Sequence, residues 1–163
     1  MRQALFIVLA CFALASCFTS SEPLIGPDHA TFPFARIDFA EVGQPDNPQT
    51  WTRRGDVYVW RVNEEGEALV RLAPVGDDLY LVQLEYPGEK GTERLYGLIR
   101  TDLAAKRVYS YATIKPDAFA AQPGLSLCDD SVCIDDVEAY LAYARGLVAA
   151  GTPEAEYVIL RTE

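Results

Sequence analysis

The sequence predicts an α+β, mainly β, domain: an antiparallel meander sheet, strongly curved or closed as a small barrel, with one C-terminal helix and a final strand. Three observations predict it. Apolar residues alternate with period two in short runs between about residues 49 and 114, which is the pattern of half-buried strands. The connections between those runs are too short for a parallel crossover, which needs a dozen or more residues. Downstream, a single stretch of helical spacing is followed by one more strand-like run.

The strands read in order as DVYVWRV (56–62), EALVRLA (67–73), DLYLVQLEY (78–86), ERLYGLIR (93–100) and RVYSYATI (107–114). NEEG, PVGD, PGEKGT and TDLAAK separate them, with Gly or Pro in three of the four. One face of the first and third strands is unbroken apolar: Tyr58, Trp60 and Val62, then Tyr80, Val82, Leu84 and Tyr86. That face, with Tyr96 of the fourth strand, is the candidate core, or the ligand-facing wall if the barrel holds a cavity. The opposite face begins apolar and ends polar, Val57 and Val59 before Arg61, Leu79 and Leu81 before Gln83 and Glu85, so another element is expected to cover its apolar half.

The expected cover is DDVEAYLAYARGLVAAGTP, where Val137, Tyr140, Leu141, Ala144, Leu147 and Val148 recur at helical spacing. Asp135 with Glu138 resembles a capping box, and Gly151 followed by Pro153 is a helix stop. AEYVILR (155–161) supplies the returning strand.

The amino terminus differs from everything after it. From Ala4 the chain reads ALFIVLACFALASC, an apolar run of about a dozen residues before small residues and a cysteine; a spanning helix needs roughly 20 apolar residues. Leu14, Ala15, Ser16 and Cys17 resemble the lipobox of bacterial lipoproteins. The resemblance implies that residues 1–16 are a signal peptide, that Cys17 carries a diacylglyceryl group with its new amino terminus acylated, palmitate being a usual chain, and that the protein meets the membrane through this anchor. Phe18, rather than aspartate, follows the cysteine, which by the same resemblance places the protein on the outer membrane facing the periplasm. Residues 17–31, with Pro23, Gly26 and Pro27, then read as lipid anchor and tether, and residues 32–163 as one globular domain.

Removing 16 of the 163 residues leaves 147, enough for one core, and losing Arg2 takes the formal charge from −10 to −11. Such an acidic balance disfavours nucleic acid and admits a basic envelope protein as partner. Of the four cysteines, Cys11 leaves with the signal and Cys17 takes lipid, so Cys128 and Cys133 in CDDSVC are expected to form a disulfide in an oxidising compartment. A zinc site would need a second ligand pair and a calcium loop a central glycine, so neither metal nor cofactor is expected.

No catalytic signature stands out. His29, the one histidine, lies in the tether, no serine occupies a nucleophile elbow, and GEKGT (88–92) reads as a hairpin turn rather than a phosphate loop. The acid pairs Glu64–Glu65 and Asp77–Asp78 fall in turns, where solvated charge is ordinary. The chain is therefore read as a non-enzymatic, membrane-anchored envelope lipoprotein with a binding or interaction domain. Two alternatives accompany that reading: a carrier of a small apolar ligand in a lipocalin-like cavity, and an inhibitor of a basic enzyme such as lysozyme. A cavity inside the sheet would favour the carrier.

Overall fold

The computed structural model describes residues 17–63, 66–88 and 91–163. The expected signal segment, with Leu14, Ala15 and Ser16, lies outside the described residues, as do Glu64, Glu65 and the middle of the 88–92 turn. The elements in chain order are β1 (Phe18–Thr19), a 3-10 turn (Pro27–His29), β2 (Arg36–Glu41), β3 (Gln49–Arg54), β4 (Val57–Asn63), β5 (Gly66–Gly76), β6 (Leu79–Gly88) and β7 (Gly91–Asp102). They continue with β8 (Arg107–Tyr111), β9 (Leu125–Cys128), β10 (Ser131–Ile134), α1 (Val137–Ala150) and β11 (Ala155–Thr162).

The meander closes. β2 to β8 follow one another around a wall in which every neighbour is antiparallel, and β11 completes the ring by pairing with β8 on one side and β2 on the other. The β6–β7 ladder is the longest, running from Leu79↔Arg100 to Gly88↔Gly91. Closure is what an eight-stranded sheet gains by returning its last strand to its first, because no long edge remains unpaired in the wall. Register irregularities at Arg61/Asn63, Pro74/Gly76 and Ile159/Arg161 fall near strand ends, where bulges let strands bend.

Alternation along the strands makes two cores. Inward, Tyr58, Ala68, Val70, Leu72 and Leu84 form one buried cluster, and Ile37, Phe39, Val108 and Ile159 form another. Outward, Leu79, Leu81, Leu98 and Tyr111 are covered by Tyr140, Leu141 and Ala144 of α1 and by Phe18, Leu125, Val132 and Ile134 of the β1–β10–β9 flap. The helix and flap therefore cover Leu79 and Leu81, the β6 part of the apolar half of the outer face, whereas Val57 and Val59 of β4 lie outside this cluster. Phe18 sits among Tyr140, Tyr143 and Phe119, with ring centroids 5.1, 5.4 and 6.1 Å away.

The cap of α1 is shifted by one residue from the expected box. Asp136 is the N-cap, its Oδ1 accepting the Glu138 N–H at 2.9 Å, while the Asp135 carboxylate accepts Ser126 Oγ–H at 2.8 Å and is thus occupied by β9. Gly151 ends the helix in the left-handed conformation, φ 71°, as the sequence expects.

The segment expected to be a tether is laid along the barrel instead. Ile25 is buried, its N–H donating to Gln83 Oε1 at 2.8 Å; the Leu24 N–H donates to Tyr96 Oη at 3.2 Å; Arg94 Nη1 donates to the Ser21 carbonyl at 2.6 Å; and Thr31 bridges to Leu72. Isolated polar contacts and a few apolar side chains without a repeating period, Phe18, Leu24 and Ile25, hold these residues, so periodicity gives no sign of the docking. The same contacts satisfy the polar half of the outer face: Gln83 is fully buried, and the Glu85 carboxylate is bracketed by Gln83 Nε2, Arg71 and Arg94.

Candidate functional site

A cavity of about 250 Å³ occupies the inside of the barrel. Its walls come from the inward positions of β2 to β8 and β11, and the side chains on them are mainly apolar and aromatic. Period two in a closed wall forces this outcome, since every second residue must point to the axis. Tyr58 is fully buried, whereas Trp51, Trp60, Tyr80, Val82, Leu95, Ile99 and Tyr157 stay only half-buried on the same lining. The half-buried class marks side chains that face open space inside the wall.

The two ends of the barrel differ. At one end residues 31–34 cross the opening: Tyr58 Oη donates to the Phe34 carbonyl at 2.8 Å and accepts the Phe34 N–H at 3.2 Å, and the Phe32 ring lies 5.3 Å from that of Tyr58. Burial raises the Tyr58 phenol above its ordinary range, which keeps it a donor for this clasp. At the other end the lining turns polar, with Glu41, Gln44, Asn47 and Gln49 from β2, β3 and the loop between them, and with Thr113 beyond β8. Within the wall, the buried indole N–H of Trp51 has no acceptor among the described residues, an unsatisfied donor beside Phe39 and Tyr58.

Of the aromatics singled out from sequence, Tyr58, Trp60 and Tyr80 come together around the cavity. Tyr96 only borders it; its hydroxyl lies within 3.2 Å of Gln83 Oε1, the Glu22 carbonyl and the Leu24 N–H on the outer side, and burial pushes its phenol up to about 12. Tyr86 is not part of the lining: its hydroxyl donates to Glu93 Oε2 at 2.8 Å, and burial first, then that carboxylate, raises its pKa. Sequence reasoning missed Phe39, Trp51 and Tyr157. The signal for Phe39 was legible in RIDF, where Ile37 and Phe39 alternate with charge; QTWTRR offers one apolar residue and no period at all.

Cys128 and Cys133 have their sulfurs at bonding distance, Cα atoms 5.7 Å apart, closing the β9–β10 hairpin just before α1 begins. Cys17 is buried and stands on the cavity lining. His29 ends the 3-10 turn on the surface, and Asp77 and Asp78 lie exposed in the β5–β6 turn. Among the described residues, no group of three or more His, Cys, Asp or Glu side chains converges as a metal site.

No protein-family model matches the chain, and neither the curated proteins nor the solved structures contain a match. The site must therefore be read from its own chemistry. It can enclose an apolar group against aromatic walls and present hydroxyl and amide groups to a polar end. No helix among the described residues is long and apolar enough to cross a membrane.

Proposed function

We propose that this chain is a lipid-anchored protein of the bacterial envelope, on the outer membrane facing the periplasm, whose barrel binds and carries a small, mainly apolar ligand. The cavity inside the closed wall carries the reading. A filled core would have made the barrel a scaffold for an interaction surface; a lined, partly open interior is what a ligand site requires. At about 250 Å³ the volume lies just below the roughly 300–1,000 Å³ usual for ligand pockets, so the ligand is small or enters only in part.

The two tryptophans of the sequence, Trp51 and Trp60, both stand on the lining, so intrinsic fluorescence reports on the cavity alone. Purified protein titrated with medium-chain fatty alcohols should show a saturable change in tryptophan emission, and Val82→Phe, which fills the cavity, should abolish it while the fold melts as before. Emission that stays flat for the native protein, or that changes equally in Val82→Phe, sinks the carrier reading. Lipidation is checked separately, by mass spectrometry of the membrane-fraction protein: the expected mature chain begins at Cys17 with acyl mass attached.

A further inference from the structure

We propose that the mouth of the barrel faces the bilayer and that the ligand is one hydrocarbon chain of a single-chain membrane lipid, taken up directly from the membrane. This rests on the lipid-anchored carrier reading above and adds the ligand class and its route. Three observations tie the barrel interior to the anchored cysteine, and a fourth selects the occupant.

The first is the side to which Cys17 belongs. Residues 17 and 18 point to opposite faces of their strand, and Phe18 is locked outward among Phe119, Tyr140 and Tyr143. Cys17 accordingly lies on the cavity lining, 6% exposed. A thioether at that sulfur emerges into the barrel mouth and not from the outer surface.

The second is the absence of slack. Cys17 is bridged to Ile114, its carbonyl accepts the Val132 N–H at 3.0 Å, and the next residues pair with β7 through Phe18↔Tyr96 and Thr19↔Leu95. Because the segment after Cys17 is docked along the barrel, no free chain separates the attachment point from the wall. Whatever holds the sulfur holds the mouth.

Third, the wall changes strands at this point, and Thr113 packs over Gly97 where it does so. β8 stops at Tyr111, β1 takes over the edge of β7, and Gly97 stands between them without a side chain; a Cβ there would come within 2.3 Å of Thr113 Cγ2. Cys17, Gly97 and Thr113 thus stand together on the cavity lining where β8 leaves the wall. The far end is crossed by residues 31–34 through the Tyr58–Phe34 clasp.

Finally, size and polarity select the occupant. A volume of about 250 Å³, below the usual range for ligand pockets, takes part of one hydrocarbon chain and no complete lipid. The rim of Glu41, Gln44, Asn47 and Gln49 meets a polar head with amides and one carboxylate, which disfavours an anionic head. A neutral or zwitterionic single-chain lipid fits both.

Brominated acyl chains quench tryptophan on contact, so they test entry. The full lipidated protein is reconstituted into phosphatidylcholine vesicles containing chain-brominated lysophosphatidylcholine, alongside a soluble chain from residue 17 with Cys17→Ser given the same lipid below its micelle concentration. The expected result is loss of most tryptophan emission in both forms, restored in both by Val82→Phe and by the independent filler Leu95→Phe. Quenching of the soluble form without quenching of the anchored one overturns the bilayer-facing mouth, including the case in which the protein's own acyl chain occupies the cavity, and leaves the carrier reading standing. Quenching that persists in both fillers reports surface proximity and also overturns the proposal. No quenching in either form, with fatty alcohols silent as well, removes the carrier reading itself.

Discussion

The two sides of the barrel wall are built to different standards. Outside, under α1 and the flap, Phe18, Leu98, Tyr140 and Ala144 have no exposure at all, and a buried backbone carbonyl, that of Ala112, is met by Tyr140 Oη at 2.8 Å. Inside, the same strands carry Trp60, Tyr80, Val82 and Ile99 only half-buried around open volume. The difference teaches where stability resides. A β-barrel can keep an interior site because its outer face, packed by the helix and by the docked amino-terminal segment, supplies the close packing that the interior lacks. Ala112 shows the tension at the seam: it holds φ 51° where the chain leaves β8, a conformation costing an alanine about 1–2 kcal/mol, and the tyrosine contact helps to hold it there.

The most sweeping way to break the contrast is alkaline pH, because it acts on several buried phenols at once. Burial raises Tyr58, Tyr96 and Tyr140, Tyr96 to about 12, while an unfolded tyrosine titrates near 10. Above about pH 10 the unfolded chain releases protons that the fold retains, so this stability is complete below that pH and is lost as pH climbs toward 12. Phenolate absorbance and circular dichroism should move together there; complete tyrosine ionisation with the fold intact would contradict the packing described.

Single substitutions sharpen the comparison. Tyr140→Ala empties the outer core and should cost about 3–5 kcal/mol in urea unfolding, a large part of a domain's usual 5–15. Gln83→Ala leaves the Ile25 N–H without its acceptor beneath the docked segment, an expected loss of about 1–3 kcal/mol. In the same titration, Cys128→Ser with Cys133→Ser should cost about 2 kcal/mol, the value for so short a loop, and reduction of the native protein should lower Tm to match. Tyr80→Ala, on the cavity side, should change stability by no more than about 1 kcal/mol, yet weaken binding of a fatty alcohol in the fluorescence titration. A Tyr80 penalty as large as that of Tyr140 would erase the distinction between the two faces.

Legibility followed the same division. The long ladders were readable because period two persists wherever one face is apolar, as in DVYVWRV and DLYLVQLEY. The short or polar strands were not: β3 offers Trp51 as its one apolar residue, β1 is two residues long, and β9 and β10 are four each. The cavity walls were half legible. Tyr58, Trp60 and Tyr80 share one strand face with core residues, so sequence marks them as inward without saying whether the space they face is filled. Tyr96 is a core aromatic, as the sequence allows, but on the alternate face of β7, where its hydroxyl turns to the docked segment.

The sequence by itself determined the alternation, the turns, the helix with its Gly151 stop and the pairing of Cys128 with Cys133, all set by residues near one another in the chain. Closure of the ring by β11, the interior volume, the docking of residues 17–31 and the place of Cys17 on the cavity lining were decided only in three dimensions. They depend on pairings such as Tyr157↔Glu41 and contacts such as Ile25 with Gln83. Each joins positions far apart in the chain, and no local pattern encodes a partner that distant.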